Sequence, residues 1–136
     1  MRALTLVAAL LTTAALAAPS ALAAGGGVAP HSSRFGTIVF DSRGFVLYAF
    51  TKDAKGKSAC YGACAKAWPP YLVKTAPKGR LLGATRRKDG KLQVTYAGRP
   101  LYYYVGDTQP RQILCQNVSE FGGLWLVVRP SGKLVR

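Results

Sequence analysis

Acidic side chains are scarce in this chain: 5 Asp+Glu stand against 19 Lys+Arg over 136 residues, a formal net charge of +14, and there is a single histidine, His31. With one histidine so close to the start, no serine or cysteine further along has a sequence-evident base to activate it, and no Gly-x-Ser-x-Gly elbow exists. Haem attachment is excluded as well. It needs Cys-x-x-Cys-His, whereas Cys60-Tyr61-Gly62-Ala63-Cys64-Ala65 has neither the spacing nor the histidine. Helix-turn-helix, zinc-finger and ribonucleoprotein aromatic motifs are missing, so specific nucleic-acid recognition is not expected. Long apolar runs are also wanting: the stretch from Leu4 to Ala18 is interrupted at Thr12 and Thr13 and falls short of the roughly 20 apolar residues that a membrane span requires.

What the chain does have is a repetition. Leu47-Tyr48-Ala49-Phe50-Thr51-Lys52-Asp53 returns as Leu101-Tyr102-Tyr103-Tyr104-Val105-Gly106-Asp107, a shared Leu-Tyr-x-aromatic-x-x-Asp. Cys60 and Trp68 follow the first copy much as Cys115 and Trp125 follow the second. Upstream, Val39-Phe40 before Gly44 mirrors Val94-Thr95-Tyr96 before Gly98. A period in the fifties implies two copies of one supersecondary unit, each too small to bury a core by itself.

Residues 1–23 read as a secretory signal, with Arg2 as its positive end, an apolar stretch, and Ala21-Leu22-Ala23 as a small-x-small cleavage site near Ala23. Residues 24–34 are small, polar and glycine-rich, which predicts a flexible lead-in. Residues 35–136 then form one domain of two repeats, about 35–75 and 90–132, expected to be monomeric and extracytoplasmic: in the periplasm, the cell wall or the medium. Loss of Arg2 with the leader lowers the charge from +14 to +13. Such a surface attracts polyanions: anionic envelope polymers, anionic lipid head groups or extracellular nucleic acid. The cations are dispersed, including Lys52, Lys55, Lys57 and Lys66 and the run Arg86-Arg87-Lys88, which also fits a merely solvated face.

Strand signals dominate. Thr37 to Phe40, a turn at Asp41 to Gly44, and Phe45 to Phe50 read as one hairpin. Leu92 to Tyr96, Ala97 to Pro100, and Leu101 to Val105 read as its repeat. Leu124 to Val128 makes a further strand, Lys133 to Val135 a short closing one, and Arg80 to Gly83 adds another. The only helix expected is brief, residues 61–67, stopped by Pro69-Pro70. Alternation with period two puts Tyr48 and Phe50, or Tyr102 and Tyr104, on one face. Packing those two faces together predicts an all-β, pseudo-two-fold antiparallel sandwich or small barrel.

Three cysteines in an exported chain allow one bridge and leave one thiol. Cys60 and Cys64 are the expected pair, since a helical turn between them would hold their Cα atoms about 6 Å apart; Cys60–Cys115, linking the repeats, is the alternative. A redox pair or a soft-copper site at Cys60 and Cys64 is the competing chemical reading. No other metal site and no cofactor are expected. Asp53 and Asp107 either share a site, with coupled ionisation, or each end a strand and accept hydrogen bonds from turn amides or a tyrosine hydroxyl. Tyr48, Phe50, Tyr102, Tyr104, Trp68 and Trp125 either fill the core or line an aromatic groove.

Taken together, the doubled Leu-Tyr-x-aromatic-x-x-Asp, Cys60-x-x-x-Cys64 before Trp68-Pro69-Pro70, Gln93-Val94-Thr95-Tyr96 before Gly98-Arg99-Pro100-Leu101-Tyr102, and Phe121-Gly122-Gly123-Leu124-Trp125 closely resemble the bacterial "secreted repeat of unknown function" family, over nearly all of residues 35–132. The resemblance implies a secreted or envelope-attached protein whose biochemical role is not established. Two departures stand out. The lipobox cysteine of many relatives is missing, so no lipid anchor is expected, and Cys115 sits where the family usually has glycine, in a stretch whose Gly106-Asp107-Thr108-Gln109-Pro110-Arg111 replaces a glycine-rich segment. The expected function is therefore a non-enzymatic cationic binding or cell-envelope-associated module, with an extracytoplasmic redox or copper-handling role as the alternative.

Overall fold

A computed structural model describes residues 25–136; the expected leader, residues 1–23, lies outside them. The chain runs β1 (Val28–Ser33), β2 (Gly36–Asp41), β3 (Tyr48–Phe50), α1 (Ala63–Ala67), β4 (Leu72–Val73), β5 (Leu82–Arg86), β6 (Leu92–Tyr96), β7 (Arg99–Pro100), β8 (Val118–Glu120) and β9 (Gly123–Val127). Every ladder is antiparallel. The strands form a two-stranded sheet β1-β2, a three-stranded sheet β3-β9-β8, and a four-stranded sheet β4-β6-β5 with β7 on β6. The all-β reading with one short helix and two repeats holds; the sheets do not close into a barrel.

The lead-in reading needs correction. Val28 to Ser33 pairs along its whole length with β2, from Val28 opposite Asp41 to Ser33 opposite Gly36. Composition hid this strand, because Pro30 and His31 are poor strand signals; Pro30 is tolerated since β1 is an edge with only one neighbour. The turn is fixed by the Ser33 hydroxyl, which donates to the Gly36 carbonyl at 2.8 Å and accepts the Phe35 amide at 3.1 Å.

Both expected turns form, but neither hairpin is a long ladder. Asp41 closes the first: its amide reaches the Phe45 carbonyl at 2.8 Å, and beyond it only Phe40 and Val46 bridge. The strand that follows turns instead to β9, with Tyr48 opposite Val127 and Phe50 opposite Trp125. In the second repeat β6 and β7 pair at Tyr96–Arg99 and Thr95–Pro100, after which Tyr102 bridges both Pro70 and Tyr48. The helix starts two residues later than the expected 61–67, beginning after Gly62, whose φ of 58° a residue with a side chain would resist. The expected closing strand is reduced to a single bridge, Val128 with Leu134.

Alternation along the central strands sorts the core into two. Ile38, Phe40, Tyr48, Phe50, Trp68, Tyr102 and Trp125 pack on one side; Val39, Leu47, Ala49, Tyr71, Val94 and Leu101 pack on the other. The motif strands are thus buried on both faces, which explains why they read as continuous apolar runs with aromatic residues at every second place.

Candidate functional site

Tyr48 and Tyr102 hold the same place in their repeats, and they meet. Each backbone amide donates to the carbonyl of the other at 2.9 Å, so the two motif strands cross at equivalent residues and an approximate two-fold axis passes between them. The side chains extend the exchange. The Tyr48 hydroxyl donates to Asp107 at 2.7 Å, and the Tyr102 hydroxyl donates to Asp53 at 2.7 Å. Each repeat's tyrosine therefore binds the other repeat's aspartate. A turn amide completes each carboxylate: Ala59 for Asp53 at 2.7 Å and Leu114 for Asp107 at 3.0 Å. No hydrogen bond joins the two carboxylates among the described residues, and each makes its own set of contacts.

Trp68 and Trp125, also equivalent, stack face to face with centroids 4.1 Å apart and planes 4° from parallel. Phe50 stacks on Trp125 at 4.1 Å and its counterpart Tyr104 lies on Trp68 at 4.8 Å, giving the order Phe50–Trp125–Trp68–Tyr104. Tyr48 meets Trp68 edge-on at 5.2 Å, and Tyr102 meets Trp125 edge-on at 5.1 Å. Ring pairs of this kind contribute about 0.5–1.5 kcal/mol beyond burial. Glu120 ties both indoles: its carboxylate accepts from Trp68 at 2.8 Å, and its carbonyl accepts from Trp125 at 3.3 Å.

Burial raises the pKa of Asp53 and of Asp107, and in each the amide and tyrosine donors pull it partly back. Burial also pushes Tyr48 and Tyr102 far above the usual tyrosine value, the partner aspartate adding to the effect. Both hydroxyls keep their protons near neutrality and stay donors, so each pair acts as a hydrogen-bonded strut between the repeats.

Three features escaped the sequence. Arg87, in a run that reads as solvated, is 4% exposed: it donates to Ser58 at 3.0 Å, to Gln93 at 2.7 Å and to the Cys60 carbonyl at 2.6 Å, with Tyr61 across its plane at 4.3 Å. Ser58 in turn lies 2.7 Å from the Tyr102 hydroxyl, which links Arg87 to Asp53. Asp41 forms a further tyrosine–aspartate pair, accepting from Tyr103 at 2.8 Å while ion-paired to Arg43 at 2.9 Å.

Cys60 and Cys64 are joined, with Cα atoms 5.3 Å apart, and both are buried. Cys115 is unpaired and half-buried, so the alternative Cys60–Cys115 bridge does not form. His31 lies edge-on to Phe40 at 5.6 Å. Among the described residues no three His, Cys, Asp or Glu side chains cluster as metal ligands, and no helix is long and apolar enough to cross a membrane.

No curated protein and no solved structure matches this chain. Two segments, residues 32–71 and 83–129, match the family described as "Secreted repeat of unknown function", and they bracket the two crossed motifs. With most of its length in those segments, the chain belongs to the family of secreted repeats of unknown function.

Proposed function

We propose that this protein is a non-enzymatic, envelope-associated binding module whose cationic surface holds anionic envelope polymers or anionic lipid head groups. The observation that carries the reading is the fate of the acids. All five have a partner within the chain: Asp41 with Tyr103 and Arg43, Asp53 with Tyr102, Asp107 with Tyr48, and, at exposed positions, Glu120 with Trp68 and Asp89 with the Lys91 amide. Every Lys and Arg of the described residues is exposed except Arg43 and Arg87, and those two are the ones in ion pairs. Carboxylates are thus consumed by the architecture while the outward charge stays uncompensated, which favours capture of polyanions over about one Debye length, roughly 8–10 Å.

The test is retention of the mature chain on an immobilised anionic polymer at low salt, with release as salt rises. Retention indifferent to salt, or none at low salt, would refute the electrostatic reading. The redox or copper alternative has less behind it. Cys60 and Cys64 are joined and buried, which slows exchange and leaves no thiolate for a soft metal.

A further inference from the structure

Two surface clefts lie at the two ends of the aromatic stack. The first, about 290 Å³, runs between the turn carrying Asp53 and Lys55 and the hairpin turn carrying Gly98 and Arg99, with Phe50 against it. The second, about 340 Å³, runs between the turn carrying Asp107 and Thr108 and the hairpin turn carrying Arg43 and Phe45, with Tyr104 against it.

The repeat maps one cleft onto the other: Phe50 onto Tyr104, Asp53 onto Asp107, Ala54 onto Thr108, Arg99 onto Phe45 and Pro100 onto Val46. Each has one wall from each repeat. A cavity that recurs at equivalent positions of a duplicated unit is a property of the motif and not an accident of loop packing.

The linings have diverged in a complementary way. Lys55 and Arg99 face the first cleft, both exposed and neither ion-paired among the described residues. The second presents Phe45, Tyr103, Tyr104 and Val105, the last 59% exposed, and its one cation, Arg43, is already bound to Asp41. Each oxygen of Asp53 and Asp107 accepts a hydrogen bond from a tyrosine or an amide, which turns the carboxylates toward the fold, and at the first cleft the two cations outnumber Asp53. The centroid steps of 4.1, 4.1 and 4.8 Å along the stack put Phe50 and Tyr104 no more than about 13 Å apart.

We infer that the two clefts are paired subsites for an acidic glycan, the first holding an anionic substituent through Lys55 and Arg99, the second stacking a sugar ring on Tyr104 and Phe45. This rests on the polyanion reading above and narrows it to one ligand class. A bare polyphosphate offers no apolar C–H face to the second cleft. An acyl chain would need an enclosed apolar channel, whereas this cleft is open and carries Asp107 and Thr108 in its lining. Two subsites on one rigid stack also raise affinity for a chain of linked units beyond that for a single sugar.

The test is a titration of the mature chain with a galacturonic acid tetramer and, separately, with inorganic polyphosphate, read by tryptophan fluorescence. Lys55→Glu and Arg99→Ala, at exposed positions, are expected to weaken the tetramer about tenfold, the scale of one lost charge-assisted hydrogen bond. Tyr104→Leu keeps bulk but removes the ring face, and is expected to weaken the tetramer about fivefold while leaving polyphosphate unchanged. Phe45→Leu, on the facing wall, repeats that contrast should Tyr104→Leu disturb folding. Tetramer binding that is the same in all variants overturns the subsites, as does polyphosphate binding that falls equally with Tyr104→Leu. If both ligands still bind in a salt-dependent way while the variants are inert, the subsites fall and the surface reading survives; if neither ligand binds at low salt, the surface reading falls too.

Discussion

Tyr48→Phe removes one oxygen from the core and nothing else, which makes it the sharpest probe of the crossed struts. Asp107 is 8% exposed, and without the hydroxyl its carboxylate keeps only the Leu114 amide at 3.0 Å. A hydrogen bond to a charged group contributes about 1.5–3 kcal/mol, so the variant should lose about that much at neutral pH. For a domain of this size the melting temperature should fall by about 5–12 °C.

The pH dependence separates this account from a simple packing defect. Burial raises the Asp107 pKa and the Tyr48 hydroxyl lowers it. A carboxyl whose folded pKa exceeds its unfolded one binds more protons when folded, so it contributes stability at low pH that is lost as pH rises through the folded value. Removing the hydroxyl raises that folded value further. The penalty of Tyr48→Phe is therefore full at neutrality and shrinks as pH falls toward the ordinary aspartate range, where the acid is protonated in both states. Urea unfolding of variant and parent, followed by tryptophan fluorescence at about pH 7 and about pH 3.5, measures the difference directly. A penalty that is equal at both pH values, or larger in acid, would refute the reasoning. Tyr102→Phe repeats the experiment at Asp53, whose pKa burial also raises and the Ala59 amide and Tyr102 lower.

The buried disulfide closes a loop with a sequence separation of 4, so Cys60→Ala with Cys64→Ala should cost about 2 kcal/mol in a urea titration, little more than the chain-entropy minimum. Burial raises the Cys115 pKa, which lowers its thiolate fraction; iodoacetamide should label it more slowly than free cysteine at neutral pH and readily once urea unfolds the chain. Arg87→Lys cannot reproduce a fork that reaches Ser58, Gln93 and the Cys60 carbonyl together, and a loss of about 2–4 kcal/mol is expected by denaturation. Gly132→Ala would drive a Cβ into that of Ala97 at a φ of 86°, so a drop of about 1–3 kcal/mol should appear in the same assay.

The repeat was legible because its strands are buried on both sides, which writes aromatic residues at every second position and apolar ones between them. From that pattern alone it follows that Tyr48 and Phe50 share one side of the core with Tyr102 and Tyr104, and the turns at Gly44 and Gly98 follow too; that the two faces do not pack on each other but have both indoles standing between Phe50 and Tyr104 does not follow from it. Acceptance of a tyrosine proton by each aspartate was one of two readings left open. That the tyrosine belongs to the other repeat was not legible, since nothing in a linear motif distinguishes a partner within its own copy from one across the axis. β1 was hidden for a different reason: an edge strand needs only backbone pairing, and Val28 to Ser33 has little of the β-branched content that marks a strand buried on two faces. Arg87 was hidden by its neighbours, because Arg86 and Lys88 are exposed and only the middle cation of the three turns inward.

Because the struts are exchanged, a solitary half of this chain would place its tyrosine opposite an empty position and its carboxylate opposite none. Two separate halves could repair that only by finding each other, at a rate and extent set by dilution. Joining them in one polypeptide makes the encounter intramolecular, so the stability of a secreted protein no longer depends on how thinly it is spread outside the cell. The same joining frees each half to change on its own, which a dimer of identical chains could not do without changing both sides at once.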